Sequence, residues 1–377
     1  MKKLYFIPAS IVLLASTFVI GCGGPDFDDR VESIVAPHAF SIGIWEWKTA
    51  AQAAKQAFTP EKEKPAGGDE AFVRSYFDRI GQKTLDEENQ KLLTPAVESI
   101  LKKQVREILN ELGIYNPIVD EEFGFPPLAF KLEELPTLLV ISPRDKIESM
   151  REILLQPGIA VEDRQVIEAG VDKLGVSSLV DDIGGIATYP SLIDSGASLR
   201  FTLETIAHEW VHQYLAFTPL GFRYLLDITG ISRNYDIATI NESLADIAGK
   251  EIGDVVYRKY YSGSSKTVTQ PSGSPEFNTL MREIRKTVDA LLARGEIDQA
   301  EAYMEQQRQV LASKGYYIRK LNQAYFAFHG TYADSPAFLN PIGLELKELR
   351  AKSPSLKDFL NTTSRMTGPQ DLTNAFK

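Results

Sequence analysis

The stretch Leu203–Leu215, LETIAHEWVHQYL, holds two of the chain's four histidines, His208 and His212, with Glu209 directly after the first. The segment from Leu199 to Phe217 reads as a helix that Pro219 and Gly221 end. On a helix, residues four apart lie on one face, so the two imidazoles can be directed at one point. A single zinc ion suits that geometry. Glu209, one step round the helix, falls beside such an ion rather than on it, the place for a base that takes a proton from activated water.

Two histidines cannot hold a catalytic zinc, which needs a third protein ligand and one position left open. The next helical segment, read from Asn241 to Tyr261, offers it in NESLAD, residues 241–246. Glu242 is placed at the start of that helix as the third metal ligand. Asp246, four residues on and on the same face, is expected to accept the free ring N–H of a ligand histidine and so fix its orientation. Without HEWVH the two acids would read as ordinary helix-start carboxylates.

HExxH followed some thirty residues later by NExxAD is similar to the gluzincin group of zinc metallopeptidases. That resemblance covers about residues 199–253, with the strand candidate Gly184–Pro190 upstream. It implies zinc on His208, His212 and Glu242, Glu209 as general base and Asp246 behind the ligands. It also implies a helical lobe, a small sheet whose edge strand aligns the substrate, and hydrolysis of a peptide bond. A shorter likeness, NQAYFAFHGTY (residues 322–332) followed by SPAF, resembles the C-terminal part of a family of bacterial zinc aminopeptidases. Gluzincins supply a tyrosine or histidine donor to the developing oxyanion, and Tyr332 and His329 are the candidates. The chain departs from the best-known aminopeptidases in having no GxMEN-type sequence to bind a substrate's free amine. Asp181, Asp182 and Glu204 are candidates for that task, each equally readable as a solvated charge, so endopeptidase and exopeptidase action both stay open.

The N-terminus, MKKLYFIPASIVLLASTFVIGCGG, has a basic start and an apolar run from Leu4 to Ile20, which reads as a secretory signal. About 17 apolar residues is at the short end for spanning a bilayer, and no cationic cluster follows. Val19-Ile20-Gly21-Cys22 resembles a bacterial lipobox, which implies cleavage before Cys22 and lipid on that residue. Cys22 is the only cysteine of the 377 residues, so an internal disulfide is excluded and lipid attachment accounts for the position. The rest is ordinary globular composition, 44% hydrophobic and 24% charged, enough for a sizeable core. A net charge of -10 argues against a nucleic-acid partner, which would need a basic surface.

Along the chain the pattern is mainly helical from Arg30 to about Leu112, including residues 50–57 and 97–109. His38 sits in an apolar setting and reads as a packed histidine outside the site. Residues 135–142 and 177–183 read as strands, with a helix from Val161 to Leu174 between them. Gly184–Pro190 reads as a third strand, confined by its proline to a sheet edge, where an extended peptide can add itself. Two long helices, 276–293 and 297–314, form a hairpin about Arg294-Gly295-Glu296, and further helices cover 316–329 and 342–352. The expected fold is α+β and mostly helical: a signal peptide to residue 22, a helical region 23–130, a zincin-like catalytic core 131–262 with a small edge-strand-bearing sheet, and a C-terminal helical subdomain 263–377.

These readings describe an exported, membrane-anchored zinc metallopeptidase acting on peptide or protein substrates, with the metal acidifying water and polarising the scissile carbonyl while Glu209 shuttles the proton. The alternative is a lipid-anchored binding or scaffold protein with a non-catalytic or absent metal. Glu209 separates the two, because a structural site has no need of a carboxylate there.

Overall fold

A computed structural model of the chain describes residues 25–45, 68–118, 124–262, 275–330 and 341–376. The signal segment with Cys22, the helix expected at 50–57 and Tyr332 lie outside the described residues. In chain order the elements are α1 (Pro25–Val35), α2 (Asp69–Gly81), α3 (Glu87–Glu111), β1 (Phe130–Glu133), β2 (Thr137–Pro143), β3 (Arg151–Leu155), α4 (Val161–Asp172), β4 (Val176–Asp182), β5 (Gly185–Ile186), β6 (Ser191–Asp194) and α5 (Leu199–Leu215). There follow α6 (Pro219–Ile228), α7 (Tyr235–Tyr261), α8 (Pro275–Ala293), α9 (Ile297–Ser313), α10 (Gln323–His329), α11 (Pro341–Lys352), α12 (Leu356–Thr363) and α13 (Pro369–Asn374). The fold is α+β, mostly helical with few strands. Among the described residues no helix is long and apolar enough to cross a membrane.

The strands form two small sheets, β3-β2-β4, antiparallel throughout, and β1-β6-β5, in which β1 and β6 are parallel and β5 and β6 antiparallel. The edge strand expected over Gly184–Pro190 is shorter, only Gly185–Ile186. The reason is local: the Thr188 N–H turns back to the Ile186 carbonyl at 2.8 Å, and the Gln213 side chain caps the Thr188 carbonyl and Ser191 Oγ. The backbone past Ile186 is thus spent on a turn instead of a ladder.

The central pair of helices is α5 and α7. Ser198 caps α5 by accepting from the Phe201 N–H, and Asn234 caps α7 by accepting from the Ile237 N–H. Each sends an apolar face into one core: Ile206, Trp210 and Val211 from α5, and Ile240, Leu244 and Ala248 from α7. Val105 and Ile108 of α3, Leu346 of α11 and Phe359 of α12 close the same core, so segments remote in sequence are buried together. The two central helices cross antiparallel at glycines: a β-carbon on Gly249 would lie 2.8 Å from the His208 Cα, and one on Gly253 2.7 Å from the Glu204 Cα. Only a residue without a side chain lets the backbones approach this closely.

Two corrections to the sequence reading concern this region. Pro219 and Gly221 do end α5, but Pro219 also opens α6, where its missing N–H costs nothing, and Thr218 caps that new helix. A β-carbon on Gly221 would lie 1.9 Å from the Leu215 carbonyl oxygen, so glycine permits the tight reversal between the helices. The second correction is that α7 begins at Tyr235, earlier than Asn241, which puts Glu242 in the helix interior and not at its start.

The helical hairpin is α8 and α9, joined where Gly295 takes a positive φ of 74° and packed through Met281, Ile284 and Val288 against Ala300 and Met304. The helix expected over 316–329 is confined to α10, which starts at the Asn322 cap. That helix lies on β2 and β4, with Ala324 packed against Leu138, Val140 and Leu179.

Candidate metal centre

His208 and His212 project from adjacent turns of α5 with their Nε2 atoms 3.0 Å apart. Glu242, from α7, brings Oε2 to 3.6 Å from His208 Nε2 and 3.5 Å from His212 Nε2. All three ligand-type atoms lie within 4.8 Å of one another. The side chains are mostly buried, from 8% to 16% exposed, so the cluster is sheltered yet reachable from solvent.

Neighbouring groups fix these side chains. Asn241 Oδ1 accepts the His212 Nδ1 hydrogen at 2.6 Å, and because an amide oxygen only accepts, it is Nε2 that presents its lone pair to the cluster when the ring is neutral. The Tyr224 hydroxyl donates to Glu242 Oε1 at 2.6 Å, leaving Oε2 toward the histidines, and the Tyr224 ring stacks on His212 at 5.7 Å. Asn241 is thus the acceptor at His212. Asp246 itself bonds Lys250, at 2.8 and 3.0 Å. Neither Tyr224 nor Asn241 was singled out from sequence. Asn241 stood next to Glu242 in the quoted motif, whereas Tyr224 was hidden by reading Pro219 and Gly221 as the end of helix.

The electrostatics follow from three groups of mixed sign packed together. Burial disfavours a charged His212 ring, but the Glu242 carboxylate, with the Glu209 carboxylate and the Asn241 bond, outweighs it and lifts the imidazole to about 9. Burial likewise pushes the Glu242 carboxyl up, and the two histidines overcome it, holding the group well below the usual carboxylate range. Glu209 is buried next to them, and burial raises its carboxyl above the ordinary value, with the histidines pulling the other way. Its Oε1 lies against β5: a β-carbon on Gly185 would sit 2.5 Å away. The edge strand therefore passes directly over the glutamate.

The remaining described candidates have partners of their own. His329, at the end of α10, holds Asp181 of β4 with Nε2 to Oδ2 at 2.9 Å. Asp182 is paired with Arg164 at 2.7 Å, and Glu204 with Arg200 at 3.0 Å. All three acids considered for binding a substrate amine are thus occupied by basic side chains. His38 lies in a single helical turn after α1, away from these groups, its carbonyl accepting from the Gln156 N–H.

No protein-family model, curated protein or solved structure matches this chain.

Proposed function

We propose that this chain is a zinc-dependent peptidase of the gluzincin type, exported and held at a bacterial membrane by lipid on Cys22. The observation that carries the reading is the convergence of His208, His212 and Glu242 from two helices, with Glu209 buried beside them and under an edge strand. The donor set fits the ion: zinc bonds of 2.0–2.2 Å at tetrahedral corners place ligand atoms about 3.3 Å apart. The separations here are 3.0, 3.5 and 3.6 Å. Two nitrogens and a carboxylate set so close favour a cation at their centre, and with Nδ1 of His212 held by Asn241, the proton that a metal would displace is the one on Nε2. Among the described residues the donors are three in number, which would leave a position for substrate.

Zinc held there would supply a Lewis acid that polarises a carbonyl and acidifies water. The chain's own residues do the rest. Tyr224 and Asn241 hold Glu242 and His212 in their ligating orientation, so no rearrangement accompanies metal entry. A substrate backbone pairs with the free side of β5, which brings its scissile carbonyl over Glu209. Glu209 accepts a proton from the attacking water as oxygen adds to that carbonyl, then passes the proton to the departing nitrogen as the C–N bond breaks. Its raised affinity for a proton suits both transfers. His329 and Tyr332 remain the candidates for the donor to the carbonyl oxygen.

The test is metal analysis of the soluble chain with and without His208→Ala, then incubation with a mixed peptide library read by mass spectrometry. One bound zinc, lost in His208→Ala, and cleavage lost in Glu209→Gln with zinc retained are the expected results. Bound zinc without any cleavage would point instead to the binding or scaffold class.

A further inference from the structure

Helix α6 carries an apolar face toward solvent. Leu220 and Tyr224 pack on the main core and Asp227 is buried, which marks one side of the helix as inward. Phe222, Leu225 and Leu226, three and four residues apart, form the opposite side. None of them belongs to any of the buried apolar clusters, and neither do Ile228 and Ile231. Phe222 is 58% exposed, Ile228 39%, and Ile231, in the turn before α7, 75%. Five such side chains within residues 222–231 make a patch, where scattered single residues would call for no explanation.

The charges of the same stretch are one-sided. Pro219–Asn234 contains two cations, Arg223 and Arg233, both exposed and without an ion pair among the described residues. Its one acid, Asp227, is turned inward, where it accepts from the Asn234 N–H. In a chain of net charge -10 this surface is therefore locally positive. An apolar face alone would suit any apolar occupant. Arginines beside it narrow the choice, because long cationic side chains flanking an inserted apolar face reach the phosphates of a lipid headgroup layer.

We propose that α6 and the turn after it form a second membrane contact, in which Phe222, Leu225, Leu226, Ile228 and Ile231 enter the headgroup region of an anionic bilayer while Arg223 and Arg233 bind its phosphates. This extends the membrane attachment of the proposed function and requires nothing of its catalysis. Its consequence is placement. Tyr224 leaves the same helix on the inward side to bond Glu242, so α6 lying flat on the bilayer holds the metal cluster about one helix diameter, roughly 10 Å, from the headgroups. Substrates at the membrane surface are then within its reach.

The full chain, matured by a bacterial host, is reconstituted into vesicles of phosphatidylcholine with and without phosphatidylglycerol, the acyl chains brominated to quench tryptophan. An indole is introduced by Phe222→Trp or Ile231→Trp, and by Tyr317→Trp as an exposed reference outside α6. The unmutated chain supplies the background of its native tryptophans. In anionic vesicles the two α6-side indoles should be quenched roughly threefold more than the reference, with the excess lost on Arg223→Glu with Arg233→Glu and reduced when phosphatidylglycerol is omitted. Circular dichroism checks that each variant is folded, and the comparison of lipids needs no charge variant. Quenching no greater than at the reference, or indifferent to both the arginines and the anionic lipid, would overturn the proposal. Measurements in detergent read the other occupants. A dimer broken by Phe222→Ser would assign the face to a second copy, and peptide affinity lowered by Ile231→Ser would assign it to substrate, either one, without quenching in vesicles, displacing the bilayer. The mass of the N-terminal peptide reports separately whether Cys22 carries lipid, so that reading and this one fail independently.

Discussion

Gly249 lies against the backbone of His208 so closely that a β-carbon on it would come within 2.8 Å of the histidine's Cα. The helix that carries His208 and His212 is therefore seated on a glycine of its partner. Gly249→Val should push α5 and α7 apart, destabilising the chain by about 1–3 kcal/mol, the usual range for overpacking. Zinc affinity should fall in the same variant. Thermal unfolding and metal titration of the purified chain check both effects, and unchanged zinc affinity would mean that α5 holds its ligands independently of α7.

Tyr224→Phe keeps the ring that stacks on His212 and removes only the hydroxyl that bonds Glu242. Loss of an outer partner of this kind weakens metal binding about 10- to 100-fold. Competition against a zinc indicator dye measures it. The melting temperature in chelator should stay near that of the unmutated chain, since the ring and its packing remain.

Metal binding should release a proton. With the His212 imidazole lifted to about 9, the metal-free ring is protonated at pH 7, and zinc must displace that proton. Apparent zinc affinity is expected to rise as pH rises from 6 toward 9, and calorimetry in buffers of different ionisation enthalpy should show about one proton released per ion at pH 7. The metal-free chain should show the opposite trend in stability. Because the folded value lies above the unfolded 6.5, the His212 contribution is fully present below about 6.5 and is lost as pH rises through about 9. Chelator should also lower the melting temperature of the zinc-loaded chain, by an amount that grows with the free metal concentration it removes.

Gly185→Ala places a methyl group against Glu209 Oε1, where there is no room for it. The carboxylate must turn aside. Zinc content should be unaffected, because the atoms nearest the added methyl belong to Glu209 and Thr205 and not to the three proposed ligands, while turnover of any peptide cleaved by the unmutated chain should drop at least tenfold. A variant with full activity would show that the edge strand does not govern the position of the base.

Much of the site could be read before any coordinates. His208, Glu209 and His212 announce themselves by spacing on one helix, and Glu242 by its place on the next, because a helix converts a four-residue interval into a shared face. What stayed hidden depended on tertiary contact. Pro219 looked like a stop because a proline breaks a helix interior, yet at the first helical position it opens one, and Tyr224 came with that second helix. Gly184–Pro190 carried a strand's composition, and only the Gln213 side chain, reaching from α5, reveals that the ladder ends at Ile186. Strands β1, β3 and β6, four or five residues each, carry no pattern long enough to read.

The glycine crossing of α5 and α7 also decides how the site opens. His208 and Glu242 belong to two helices whose inward faces lie in the largest buried cluster among the described residues, so neither can swing away while that cluster persists. Amide deuteration around these two residues should therefore keep pace with melting of the entire molecule, and surface loops nearby should exchange far sooner.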